Sequence, residues 1–207
     1  MLQWGGGTVL KPNYCLPLDY VARTDNADFD DTPFADEYQR NVYEHAAYVA
    51  KQCGYRNIVD IGCGSGFKLV KNFEGMNTIG LDVPKTIEYC RGKYPGLRWR
   101  NIDYADIIVG ADMIVSADVI EHVADPDALM EYIRTLHPHL VVLSTPARDL
   151  LALDDSERLG PPRNIHHARE WSSGEFREYV GQWFEVCEHL VGLEHDTYTQ
   201  LILGKER

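Results

Sequence analysis

The sequence predicts an α/β protein built on a mostly parallel, doubly wound sheet with helices on both faces. Three observations carry this. Ile58-Val59-Asp60-Ile61 is a run of β-formers that enters glycines at 62, 64 and 66, and an amphipathic segment follows, which is the pattern of strand, tight turn and helix. Further apolar runs alternate with helical stripes along the chain, as repeated β-α-β units do. Near the C-terminus two strand-like runs are joined by a short connection, which predicts an antiparallel hairpin at the end of the sheet.

Residues 1–35 show no periodicity and hold Gly5-Gly6-Gly7, Pro12, Pro17 and an acidic run from Asp25 to Asp31. A long aperiodic segment is either disordered or a cover over a site, and Tyr14, Tyr20, Phe29 and Phe34 favour a cover. From Asp36 to Cys53 the stripe Val42, Ala46, Val49, Ala50 predicts a helix that Gly54 ends. This helix leads into the strand before the glycines. Lys68 to Phe73 continue as helix, and Asn77 to Asp82 reads as a second buried strand.

A carboxylate at that strand end, about 20 residues past a glycine turn, is placed to accept both hydroxyls of a ribose; the competing role for Asp82 is to cap the next helix, where Pro84 suits the first position. Leu97 to Asp103 predicts an edge strand and Asp112 to Ala117 a fourth. Asp125 should cap a helix with Pro126 at its first position and Leu129, Tyr132, Ile133 and Leu136 on its buried face. Leu140 to Thr145 is a fifth strand, stopped by Pro146. The stretch 147–171 is aperiodic, leaves the sheet at the end where such folds bind ligands, and is expected to be functional. Ser172 with Glu175 predicts a capping box, and Phe184 to Leu190 and Thr197 to Leu203 are the last two strands.

The chain of 207 residues suffices for one core, so residues 36–207 are expected to form a single domain behind the arm of residues 1–35. Net charge is -12, and the 20 Lys and Arg form no block beyond the loose cluster Arg91, Lys93, Arg98, Arg100. A polyanion's partner concentrates positive charge on one face, so nucleic acid is not an expected partner. No apolar run is long enough for a membrane span and no leader pattern opens the chain, which predicts a protein with no membrane partner. Five scattered cysteines without a Cys-x-x-Cys pair fit a reducing cytoplasm and neither bridges nor zinc.

Glycines at 62, 64 and 66 do not follow the Gly-x-Gly-x-x-Gly dinucleotide spacing, and no Lys-Ser/Thr ending marks a triphosphate loop. The stretch Asp60 to Gly66 resembles motif I of the class I S-adenosylmethionine-dependent methyltransferases, of the small-molecule, UbiG-like type. The Asp82 strand end, the Asp103 strand end and the Ser116 to His122 segment follow in that family's order. Asp36-Glu37-Tyr38-Gln39 and the Gly160 to Trp171 stretch look like a bacterial subgroup that modifies carbohydrates or natural products. The resemblance implies a Rossmann-like fold of seven strands with the last reversed, and an N-terminal lid.

It also implies S-adenosyl-L-methionine as cofactor, with S-adenosyl-L-homocysteine as product. Its contacts would be Asp60, Gly62, Cys63, Gly64, Gly66, Asp82, Val83, Asp103, Tyr104, Ser116 and Ala117. The expected acceptor is a small polar molecule methylated at oxygen by a monomer or homodimer, and 147–171 would be the acceptor-site loop. An NAD-dependent oxidoreductase is the competing enzyme, and a binding protein that keeps the fold without catalysis is the other alternative.

A hydroxyl acceptor must lose a proton, and an imidazole with its usual pKa of about 6.5 suits that task, which makes His122 and His167 the candidate bases. Arg163, Asn164, His166 and Arg169 are candidate acceptor ligands, the arginines for an anionic group. Asp118 with His166 and His167 has no spaced ligand pair of the metal-dependent kind, so no metal is expected.

Overall fold

The computed structural model describes residues 10–102, 110–151, 153–154 and 157–207. The strands are β1 (Asn57–Ile61), β2 (Asn77–Asp82), β3 (Arg98–Asn101), β4 (Met113–Ala117), β5 (Leu140–Pro146), β6 (Glu185–Val191) and β7 (Thr199–Lys205). They form one sheet in the order β3-β2-β1-β4-β5-β7-β6, in which β7 alone runs antiparallel to its neighbours. The seven strands and the reversed β7 match the sequence expectation. The order reverses between β1 and β4, and the crevice beyond their carboxyl ends is where open α/β sheets bind ligands.

Side chains alternate along each strand and divide the core in two. Val59, Ile61, Ile114, Val141 and Leu143 face α4 (Pro126–Thr135) and α5 (Ser173–Trp183), whose Leu129, Ile133, Phe176 and Tyr179 complete that layer. Ile58, Met113, Val115, Leu140 and Val142 face α1 (Arg40–Cys53), α2 (Phe67–Asn72) and α3 (Pro84–Lys93) through Val42, Ala46, Leu69 and Ile87. Both predicted caps form: Asp125 accepts the N–H of Asp127, and Ser172 and Glu175 close a reciprocal box.

Helix α1 begins at Arg40, four residues later than its apolar stripe suggests. Gln39 has φ 59°, a left-handed conformation that cannot continue a helix. The acidic residues before it are spent elsewhere, Asp36 on Lys71 and Arg40, and Glu37 on the N–H of Ala35.

The arm and the long loop hold each other. Val21 N–H donates to Leu159 O, Arg23 N–H to Ala168 O and Ala27 N–H to Ile165 O. Trp171 Nε1 donates to Tyr14 O at 2.8 Å, and Glu170 N–H to the Tyr20 hydroxyl at 2.9 Å. Tyr14 and Tyr20 are buried, as a cover would have them.

Candidate active site

The three glycines after β1 all have positive φ, and each meets a different neighbour. A Cβ on Gly62 would lie 2.3 Å from Val119 Cγ2, so its absence lets the turn after β1 close on the turn after β4. A Cβ on Gly64 would lie 2.0 Å from Asp31 Oδ2, and one on Gly66 would lie 2.6 Å from Trp99 Cη2. Gly66 therefore serves the packing of β3 against α2. Gly62 and Gly64 alone of the three border open space.

That space is a cavity of about 480 Å³ over the carboxyl ends of β1, β2 and β4. Its floor is Gly62, Gly64, Asp82, Val83, Ala117 and Asp118, and its far wall is the arm, from Asn26 to Asp31. Asp82 Oδ2 accepts the N–H of Gly64 at 2.9 Å and Oδ1 that of Val83 at 2.7 Å, while Val83 occupies the cap position of α3. The capping role for Asp82 is thus excluded. The Thr86 side chain also hydrogen-bonds this carboxylate, whose remaining acceptor capacity is left for a hydroxyl donor.

Other expected cofactor contacts lie beneath this floor. Asp60 is fully buried and accepts the Tyr43 hydroxyl on both oxygens at 3.0 Å. Cys63 and Ser116 are buried and, with Gly66, do not line the cavity. These positions shape the turn from behind. Asp103 and Tyr104 lie outside the described residues.

Sequence reasoning missed Asp31, Gln39 and Lys68. Asp31 descends from the arm onto the glycine turn and pairs with Lys68 Nζ at 3.3 Å, a lysine that is 2% exposed. Gln39 and Asp118, with φ of 59° and 51°, both line the cavity, and strained non-glycine backbone of this kind collects at functional sites. Asp118 takes the Ser144 hydroxyl at 2.6 Å.

Burial raises the carboxyls of Asp82, Asp31 and Asp118 above the ordinary range, although backbone N–H groups at Asp82, Lys68 at Asp31 and Ser144 at Asp118 work against it. Asp60 is pushed up to about 7 by burial, with Asp82 and Asp31 adding to the rise and Tyr43 and Lys68 opposing it. A cavity ringed by carboxyls that resist ionising is matched to a ligand that brings positive charge.

The two candidate bases stand one behind the other. His122 lines the cavity and its Nδ1 donates to His166 O at 2.9 Å, which leaves Nε2 without a proton. Burial and the neighbouring His167 push it down to about 3, far from the ordinary histidine value assumed from sequence. His167 is not at the cavity wall. Its Nδ1 donates to Glu170 Oε1 at 2.6 Å, and its Nε2 accepts Asn164 Nδ2 at 2.9 Å.

Two acceptor-ligand expectations are corrected. Arg169 is wholly buried, donates to Val123 O and Ala124 O, and lies over the Tyr14 ring. Arg163 is exposed and pairs with Glu157. Neither arginine lines the cavity. His166 Nδ1 donates to Ala27 O and so ties loop to arm.

A family model described as "Methyltransferase domain" matches residues 36–188. The chain belongs to that family. It is therefore an S-adenosylmethionine-dependent methyltransferase of class I, and the nicotinamide alternative is set aside.

The methyltransferase is similar in fold to magnesium protoporphyrin IX methyltransferase (ChlM) from Synechocystis PCC 6803 with bound SAH, at 16% identity over 82% of this chain and 84% of that one, TM-score 0.64. It is similar also to the methyltransferase domain of bacterial CtHen1, at 21% identity over 81% of this chain and 98% of that one, TM-score 0.61. Mitomycin 7-O-methyltransferase MmcR matches at 17% identity over 82% of this chain and 54% of that one, TM-score 0.57. No curated protein matches the sequence.

Proposed function

We propose that this methyltransferase transfers a methyl group to an oxygen of a small polar acceptor, a sugar, nucleotide sugar or natural product of the kind its loop sequence suggested. Its cofactor supplies a methyl on a sulfonium, which already carries its leaving group. The chain's work is then to align the partners and take up a proton, and alignment by itself is worth several kcal/mol, up to about 7 to 11 in favourable cases.

The carrying observation is the convergence of bare backbone at Gly62 and Gly64, the Asp82 carboxylate and the arm on one cavity. Asp82 holds the ribose hydroxyls. Lys68 and Asp31 offer opposite charges at the glycine turn and suit the carboxylate and ammonium of the cofactor's amino-acid end. Val83, Ala117 and Val119 provide the apolar walls. The arm, from residue 10 to residue 35, is the lid, and Asn26 fastens it by donating to His122 O and His166 O.

His122 marks the acceptor end, where its bare Nε2 can accept a hydrogen bond from an acceptor hydroxyl, although burial leaves it far less basic than an ordinary imidazole. Phe29 lies beside the His122 ring with centroids 5.9 Å apart and gives that end an aromatic wall. A net charge of -12 is unsuited to a polyanionic acceptor.

The test is transfer of labelled methyl into fractionated cell extract. Label is expected in the small polar metabolites. Label confined to RNA or protein would overturn the choice of acceptor class.

A further inference from the structure

At the acceptor end, His122 is backed by two side chains that the reading above does not use, Glu121 and His167. Glu121 is fully buried on the turn after β4. Its Oε2 accepts the Thr145 hydroxyl at 3.0 Å, and its Oε1 has no hydrogen-bond partner among the described residues. A buried carboxylate oxygen left bare is costly and needs an explanation. It stands 4.0 Å from His122 Nε2, itself without a proton.

His167 completes the group, its ring set at 88° to that of His122 with centroids 4.8 Å apart. One ligating atom from each of Glu121, His122 and His167 can be chosen so that all lie within 4.8 Å of one another. Both imidazoles are also held as metal-binding histidines are. Each spends its Nδ1–H on an outer partner, His166 O for His122 and the Glu170 carboxylate for His167, which fixes Nε2 as the lone pair.

We propose that Glu121, His122 and His167 bind one divalent first-row transition cation at the acceptor end of the cavity. Three converging lone pairs, of which only that of His167 meets a donor, form the complement of a cation, and one carboxylate with two imidazoles is a set that such cations accept. With bonds of about 2.1 Å, ligands around a tetrahedral ion stand about 3.4 Å apart, so the widest pair must close by up to about 1.4 Å.

The contact to be displaced is the amide of Asn164 on His167 Nε2. Its orientation is fixed because Asn164 Oδ1 accepts the N–H of His166 at 3.0 Å. His122 borders the cavity, which gives an ion a way in and leaves its remaining coordination positions open to an acceptor oxygen. A search for closely spaced ligands in sequence could not find this site. Two ligands are adjacent on the β4 turn, and the third arrives from the long loop.

This proposal deepens the acceptor reading by placing the cation, in place of a hydroxyl proton, on the His122 Nε2 lone pair, and the experiment separates the two. The full chain, stripped with EDTA, is titrated with MnCl2 while free Mn(II) is followed by electron paramagnetic resonance; S-adenosylhomocysteine binding is measured on the same stripped protein. One tight site is expected, weakened at least about tenfold (about 1.4 kcal/mol) in both Glu121→Gln and His167→Gln. Asn164→Ala removes the competing amide and should bind Mn(II) as tightly as the unaltered chain or more so.

Absence of a tight site in the unaltered chain, or a Glu121→Gln protein that binds Mn(II) unchanged, overturns the cation site. Should Glu121→Gln fail to fold, His122→Gln replaces it under the same criterion. Retained S-adenosylhomocysteine binding in the same sample shows that the cofactor reading stands when the cation site has failed.

Discussion

Asp31 Oδ2 lies 3.3 Å from Lys68 Nζ and rests on the bare α-carbon of Gly64, so one carboxylate joins the arm to the turn that opens α2. A buried ion pair recovers the cost of desolvation poorly, which makes this one easier to understand as part of a binding site than as a stabiliser. Asp31→Ala is expected to weaken S-adenosylhomocysteine by about tenfold or more and methylthioadenosine, which lacks the amino-acid end, by much less. Calorimetry with the two ligands measures the difference. Equal losses would detach Asp31 from the amino-acid end.

The glycine neighbours separate binding from packing. Gly66→Ala forces a Cβ against the Trp99 ring at a backbone with φ 70°, and should cost stability by about 1 to 3 kcal/mol. Gly64→Ala forces one against Asp31 instead, on an arm that can move away. It should lower affinity for S-adenosylhomocysteine far more, relative to its effect on the urea midpoint, than Gly66→Ala does. Paired denaturation and binding measurements on the two variants decide this.

The buried carboxyl under the turn gives a pH dependence with a definite sign. Asp60 is raised to about 7 from an ordinary value near 3.8, so between those limits the folded chain binds more protons than the unfolded one. Stability of the ligand-free protein therefore falls as pH rises across that window, and the raised carboxyls of Asp31, Asp82 and Asp118 act in the same direction. Asp60→Asn should flatten the fall by up to one proton's worth. Urea melts from about pH 5 to about pH 8 measure it; an unchanged slope in the variant would mean that Asp60 does not titrate there.

Removing one hydrogen bond should loosen the arm. Trp171→Phe leaves the ring's place filled but deprives Tyr14 O of its donor, for a loss of about 1 to 3 kcal/mol. Amide exchange along the arm, followed by mass spectrometry, should quicken in the variant before the sheet is affected. Unaltered exchange would show that the arm is held by its other contacts alone.

Strands β1, β2, β4 and β5 were legible because each is a short, largely apolar run bounded by Gly, Pro, Asp or Asn, and Asp82 because it stands at a strand end a fixed distance past the glycines. What decided the rest was contact between distant segments. Nothing local distinguishes Asp31 from Asp28 or Asp30 within one acidic run, and only the approach to Gly64 and Lys68 singles it out.

Arg169 was a candidate ligand for an anionic acceptor because a loop arginine normally keeps its charge accessible. It is buried because two carbonyls of the β4 turn and the Tyr14 ring meet its guanidinium. Similarly, the expected start of α1 at Asp36 lies ahead of its true start at Arg40, since periodicity carries no signal for the left-handed Gln39.

The most direct test of the cofactor cradle is calorimetry of S-adenosylhomocysteine on the full chain, on Asp82→Ala and on the shape-preserving Asp82→Asn. The account predicts one site in the unaltered protein and at least about a thirtyfold loss, about 2 kcal/mol, in Asp82→Ala, with Asp82→Asn also weakened although its fold is retained. Binding undiminished in both variants would place the ribose away from Asp82 and contradict the account.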